Sequence, residues 1–394
     1  MDLTFSVQDE AFRARFRAWL EEAMAEYKEV MRAGGGNPLE QSRVWQAKLY
    51  EAGYLGMAWP RAYGGQEASL TEQVIVSEEL ARAKAPGTIN TIGLTIAGPT
   101  IVQHGTEAQK QRFLPKILTA EELWCQGFSE PGAGSDLPAL RTRAELKDDH
   151  FVVNGQKVWT SGAFFSNWCA LLVRTDPSAP KRKGITYLLC DMKSPGIEVR
   201  PLRNAGGGSH FCEVFFDDVK IPRENMVGEL HGGWQIARST LEHERSGLSG
   251  VIALEGNLER LWQLASTIQR GDHKAIDEVM VRHQLVQMWF EKEGLRYLGF
   301  RNLSAQISGS GAGVSGSLGK LVNSQLRQKM ASLGLEIAGP LASVAKKSPH
   351  VLDRGRWQAG YFDALGYSIG GGTSEIMHNA IAEGVLGLPH SADQ

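Results

Sequence analysis

FVVNGQKVWTSG, residues 151–162, does not fit a helix. Its β-branched and aromatic residues alternate with polar ones, the period of two that marks a half-buried strand. Asn154-Gly155 adds a hairpin signal, because both residue types tolerate the positive φ of a two-residue turn. On either side, WCQGFS, NWCALLVRT, GITYLLCDM, GIEVRPL and FCEVFFDDVKI have the same character, so the middle of the chain is predicted to form an antiparallel sheet or barrel. Before it, Phe12, Phe16, Trp19, Ala23 and Tyr27 recur at steps of three and four and predict one face of a packed helix. LTEQVIVSEELARA and TEAQKQRFLPKIL continue that periodicity, and after Gly232-Gly233-Trp234 it returns and persists to the end. The order is α, β, α, with expected boundaries at 1–121, 122–231 and 232–394.

At 394 residues, 42% hydrophobic and 22% charged, the chain has the composition of a globular protein able to bury several cores. Its 42 Lys and Arg against 44 Asp and Glu leave a formal charge of −2, which gives no general attraction for nucleic acid or an anionic membrane. The opening DLTFSVQDEAFRARFRAWLEEAM is acidic and amphipathic rather than a basic leader followed by an apolar core. No run approaches the ~18 apolar residues of a membrane span, and a cytoplasmic protein is expected. Cys125, Cys169, Cys190 and Cys212 lack the close spacing of a zinc or thioredoxin-like site, so they are expected to be packing residues and no metal is expected.

Four stretches bear on chemistry. FSEPGAGSD, 128–136, joins a β run to a glycine turn whose serines and N–H groups either converge on an anion or form only a sharp loop. VWTSG, 158–162, sets a flat indole beside two hydroxyls; it suits a planar heteroaromatic cofactor stacked on Trp159, unless Trp159 is plain core. GSGAGVSGS, 309–317, contains a G-x-G-x-x-G spacing, but helices flank it where a dinucleotide fingerprint needs a preceding strand, so it reads as an interhelical loop. SIGGGTSEI, 368–376, has three consecutive glycines that either break a helix or clear space for a ligand.

Taken in order, FSEPGAGSD, NGQKVWTSGA, FFDDVKIPRENMVGE and GGGTSEIMHNAIAEGVLGLP resemble the acyl-CoA dehydrogenase family. The resemblance implies an α+β fold with an N-terminal α-helical domain, a middle antiparallel β-sheet or barrel domain and a C-terminal four-helix bundle. It implies FAD as cofactor, an acyl-CoA as substrate, an electron-transfer flavoprotein as acceptor, and a homotetramer, with a heterotetramer or dimer as alternatives. By similarity, Gln126, Phe128, Ser129, Gly134, Ser135, Trp159, Thr160 and Ser161 would line the flavin. Glu336, Gly339, Thr373 and Glu375 would add FAD contacts, while Ser135, Leu241, Gly371 and Gly372 would face the acyl thioester. Two departures stand out: QRGDHKAIDEVMVRHQ, 269–284, lacks the family's R-x-x-F-G segment, and Glu336 replaces the usual Gln of a Q-x-x-G-G segment. Both imply an altered hold on the adenine half of FAD.

Many members carry the catalytic carboxylate just before G-T-x-x-I, where this chain has Gly371. Glycine cannot take a proton. Ala237, Leu241, Glu244, Leu248 and Val251 follow steps of four, three, four and three, which puts Glu244 in an otherwise apolar helical stripe. A carboxylate there is costly unless it is paired or functional, whereas Glu242 lies off the stripe, within reach of Arg238. The residues alone leave Glu244 as either a buried ion pair or a base. The resemblance favours the base, because isovaleryl and long-chain types carry it at this helix position directly before Arg, as in Glu244-Arg245. Arg245 is then a helper or a counter-charge. The expected reaction is α,β-dehydrogenation of an acyl-CoA to a trans-2-enoyl-CoA. A non-catalytic subunit of a heteromeric dehydrogenase and an oxygen-using flavoenzyme of the same fold are the competing readings.

Overall fold

The structure, a computed structural model, describes residues 5–32, 37–245, 249–307 and 315–389, and of 242–245, 249–253, 255, 307 and 315 it describes the backbone only. The N-terminal part is helical: α1 Val7–Arg32, α2 Pro38–Glu51, α3 Leu70–Arg82, α4 Gly98–His104 and α5 Glu107–Leu118. Local chemistry starts these helices. Asn37 accepts the Leu39 N–H, and Ser69 and Thr106 form reciprocal capping boxes with Glu72 and Gln109. The stripe expected on α1 is the packed face: Phe16 and Ala23 are buried, and Phe12, Trp19 and Tyr27 are half-buried around Trp45, Leu49 and Val76.

That face also buries Glu79 of α3, whose carboxylate accepts from Arg13, Arg17 and Arg82 at 3.2, 2.7 and 2.7 Å. Burial opposes its ionisation, but the three guanidiniums override burial and hold the carboxyl at about 2, against 4.5 ordinarily. With the folded value depressed, the cluster stabilises fully above the unfolded value and loses that contribution as pH falls toward the folded one. Acid melts are therefore expected to cost the wild type ~3 kcal/mol from this group alone. Glu79→Gln should be less stable at neutral pH and less acid-sensitive; an unchanged acid slope would contradict the assignment.

Residues 124–227 form one eight-stranded sheet from β1 Trp124–Gly127, β2 Arg143–Leu146, β3 His150–Lys157, β4 Trp168–Arg174, β5 Ile185–Asp191, β6 Ile197–Leu202, β7 Phe211–Pro222 and β8 Met226–Val227. The order is β6-β7-β3-β2-β4-β5-β8 with β1 beside β4; β1–β4 and β2–β4 are parallel and the other pairs antiparallel. The hairpin expected at Asn154-Gly155 is a correction. Both residues lie inside β3, at a register shift against β7, and the β2–β3 turn falls instead at Lys147–Asp149. The conformational freedom of Gly155 is spent on a bulge: its φ is 152° and a Cβ there would meet the Thr142 backbone at 2.7 Å. The four cysteines are buried and unpaired, with Cys169 between Cys125 and Cys190 in register. Burial pushes the Cys190 thiol well above its ordinary value, as suits a packing residue.

Helices return with α6 Gly233–Arg245, α7 Ser249–Thr267, α8 Val279–Ile307, α9 Ser315–Ala338, α10 Arg356–Tyr367 and α11 Ser374–Gly384. A small hairpin of β9 Gln269–Arg270 and β10 His273–Lys274 separates α7 from α8. Leu254 and Leu261 of α7, Leu285 of α8, and Leu326 and Leu333 of α9 share one core, closed by Trp357 of α10. Most of the expected loop at 309–317 lies outside the described residues. Among the described residues no helix is long and apolar enough to cross a membrane.

Candidate functional site

Where the sheet, α3 and the C-terminal helices meet, they enclose a cleft of about 1770 Å³. One wall comes from the ends of β1 and β3. Gln126, Ser129, Gly134 and Ser135 line it from the first, and Trp159 and Ser161 from the second. A buried ion pair holds this wall in shape. Lys157, fully buried at the end of β3, donates to the Phe128 carbonyl at 3.0 Å and to Glu130 at 2.8 Å. The Glu130 carboxylate also accepts the N–H groups of Arg141 at 2.6 Å and Thr142 at 2.8 Å. Burial would raise the Glu130 carboxyl, but Lys157 and these donors reverse the sign and hold it below its ordinary value. The turn thus clamped is narrow, with Glu130 and Ala133 exchanging backbone hydrogen bonds at 3.0 Å.

Trp159 is held in an unusual conformation. Its φ is +61°, a region rare for a bulky residue, and its side chain stays 61% exposed, edge-on to Phe211 at 5.8 Å. Backbone bonds on both sides enforce this: Thr160 and Cys212 exchange N–H···O contacts at 3.0 and 3.1 Å, and Gly162 donates to the His210 carbonyl at 2.8 Å. The result is an indole presented to the cleft rather than used as core. Thr160, by contrast, points inward; its hydroxyl is buried without a hydrogen-bond partner.

The opposite lip is the glycine stretch between α10 and α11. Gly371 and Gly372 have φ of +66° and +101° and line the cleft with Thr373. Thr373 caps α11 by accepting the Ile376 N–H, Ser374 donates back to the Ser368 carbonyl at 3.1 Å, and Lys320 of α9 donates to the Gly372 carbonyl. The glycines follow the end of α10 at Tyr367, and where they line the cleft they put no side chain into it.

α6 approaches from the sheet and is anchored to α4. Thr240 and Thr100, both buried, share a hydrogen bond at 2.7 Å, and Ser239 meets His104 at 2.9 Å. Ala237 is buried and Leu241 half-buried against the same core, as the stripe predicted. The backbone places position 244 one turn beyond Thr240 on the same helical face. The side chains of Glu244, Arg245 and Glu242 lie outside the described residues, as do Leu248 and the side chain of Val251.

Several expected contacts do not reach the cleft. Phe128 is buried in the core, edge-on to Tyr187, and Leu241 packs into that same cluster. Glu336 and Gly339 sit at the far end of α9, and Glu375 faces solvent on α11. Arg270, from the segment that departs from the family pattern, donates to the Glu336 and Ile337 carbonyls at 2.6 and 3.3 Å and so caps α9. Among the described residues no cluster of His, Cys, Asp or Glu is arranged to hold a metal ion. Sequence reasoning passed over His210 and Asn204 of the cleft lining, Gln73 and Ser77 of α3, and the Lys157–Glu130 clamp. A signal for the clamp existed, since Lys157 continues the inward side of a strand that is otherwise apolar.

The chain matches family models described as acyl-CoA dehydrogenase N-terminal, middle and C-terminal domains, over residues 6–121, 125–219 and 231–386. It is 37% identical over 392 residues to acyl-CoA dehydrogenase IpdE1 of Mycobacterium tuberculosis, covering 97% of this chain and 98% of that one. The solved ChsE4-ChsE5 complex from Mycobacterium tuberculosis superposes with a TM-score of 0.84 at 32% identity, over 99% of this chain and 100% of that chain. The Tcur3481-Tcur3483 steroid ACAD follows with a TM-score of 0.83 at 30% identity, over the same shares.

Proposed function

Given that the chain belongs to the acyl-CoA dehydrogenase family, we propose that it removes the α and β hydrogens of a bulky acyl-CoA thioester, with Glu244 as the base. The observation that carries this is the cleft-lining Gly371, side-chain-free where the resemblance puts the family's usual carboxylate, together with a helix whose next turn past Thr240 carries Glu244. The residues present fit FAD. An exposed indole face, the side chains of Gln126, Ser129 and Ser161, and open space at Gly134 suit a planar ring with a polar edge. When bound, FAD supplies the acceptor for the β-hydrogen as hydride.

The chain's own residues supply the rest. A carboxylate is a weak base toward a carbon acid, so Glu244 needs a water-poor pocket that raises its affinity for the pro-R α-proton. The thioester oxygen needs donors as charge develops, and a backbone N–H at Gly371 would contribute about 3 kcal/mol. Gly371→Ala is expected to lower kcat about tenfold or more with the fold intact, because a Cβ at φ +66° strains the loop and shifts that donor. Wild-type turnover in the alanine variant would contradict this role.

The size of the cleft and the steroid named for one solved relative favour a ring-bearing acyl group. Two-component relatives, and the use of Arg270 as a helix cap, favour a second, related subunit that completes the FAD site, in place of the homotetramer expected from the family at large. Glu244 assigns the base to this chain rather than to its partner. Product analysis with an artificial electron acceptor tests the proposal: loss of two hydrogens from an acyl-CoA supports it, and peroxide formed with dioxygen alone would move the chain to the oxidase reading.

A further inference from the structure

The remote end of the cleft holds an electrostatic arrangement that the dehydrogenation chemistry leaves unused. Arg260 of α7 and Arg356, the first residue of α10, both line it. Among the described residues, the Arg260 guanidinium donates to the Asn257 side chain at 3.4 Å. The acidic groups nearby are already engaged: Glu259 pairs with Lys84 at 3.1 Å, and Asp353 accepts the Trp357 indole N–H at 2.6 Å. Burial and then the neighbouring Arg356 charge work against the charged form of Arg260, and outweigh the Glu259 and Asp353 charges that favour it. Around the described lining, Arg260, Lys320, Arg327 and Arg356 face a single acid, Asp363. Arg260, half-buried, and Arg356, exposed, add like charge to a lining that carries one acid, and an anion from outside relieves that repulsion.

We propose that Arg260 and Arg356 form an oxyanion-binding pole that takes a carboxylate or phosphate of a ligand lying along the cleft. α10 runs from this pole to the glycine lip, so the two ends lie roughly 17 Å apart at 1.5 Å per residue. A ligand engaged at both ends is therefore extended, with its anion far from the reacting carbons. The inference rests on the FAD and acyl-CoA reading for the identity of that ligand, and the sources it allows are an FAD phosphate, a CoA phosphate and a carboxylate at the remote end of the acyl group.

The experiment uses Arg260→Ala, Arg356→Ala and Arg260→Lys in the full chain with any co-purifying subunit. FAD dissociation constants are read by flavin fluorescence, and KM is measured for an acyl-CoA, its pantetheine analogue and a matched acyl-CoA ending in a carboxylate. At least one of these is expected to weaken about tenfold or more in the alanine variants, with partial rescue by lysine. A loss confined to FAD assigns the phosphate of the cofactor; a loss for all CoA thioesters but not the pantetheine analogue assigns that of CoA; a loss confined to the carboxylated substrate assigns the acyl end. The ligand-free alanine variants should melt no lower than wild type, because a repulsion has been removed. Unchanged binding in every arm, or a lowered melting temperature as the only effect, overturns the proposal. The fluorescence arm needs no turnover, so a failure of the dehydrogenase reading stays distinguishable from a failure of the pole.

Discussion

Glu244→Gln is expected to lower kcat for acyl-CoA dehydrogenation by about 10²–10⁴-fold, the range general-base catalysis supplies, while thioester binding changes only a few-fold. The glutamine keeps the size and polarity of the side chain but cannot accept the proton. An effect on kcat without one on KM separates loss of the base from damage to the pocket. The glycine lip makes the expectation strict, because Gly371 lines the cleft and offers no substitute carboxylate. A variant that turns over normally would return the chain to the non-catalytic subunit reading.

The second large effect is structural. Lys157→Met is expected to destabilise the protein by about 3–5 kcal/mol, because it strands the Glu130 carboxylate in a buried site with only backbone donors. Stability should be read by urea unfolding at neutral pH. Lys157→Met combined with Glu130→Gln should recover part of the loss by removing the uncompensated charge. If the single variant were as stable as wild type, the pair would not be what holds the 128–136 turn against β3. The distinction matters for function, since Ser129 and Ser135 sit on that turn and Trp159 lies two residues past Lys157.

Local pattern made much of this visible. The α1 stripe and the inward alternation of β3 are short-range signals, and the structure uses them as read. Asn154-Gly155 shows where short range misleads: the same tolerance for unusual φ serves a turn or a bulge, and pairing with β7 selects the bulge. The glycine lip was visible as one continuous segment and the β wall as two, 126–135 and 159–161. Phe128 and Leu241, expected near ligands from the resemblance, have side chains packed in the core, a placement that a motif match along the chain does not specify. Arg260 and Arg356 gave no sequence signal, since only the folding of α7, α9 and α10 around one core brings them to the same cleft.

The most direct measurement is anaerobic mixing of the purified, flavin-loaded protein, with any co-purifying subunit, against a panel of straight-chain, branched and ring-bearing acyl-CoA thioesters. Glu244 as base predicts that at least one bulky thioester bleaches the oxidised flavin band and yields the trans-2-enoyl-CoA, and that Glu244→Gln, loaded to the same flavin content, does neither. Equal bleaching by the wild type and Glu244→Gln would contradict it.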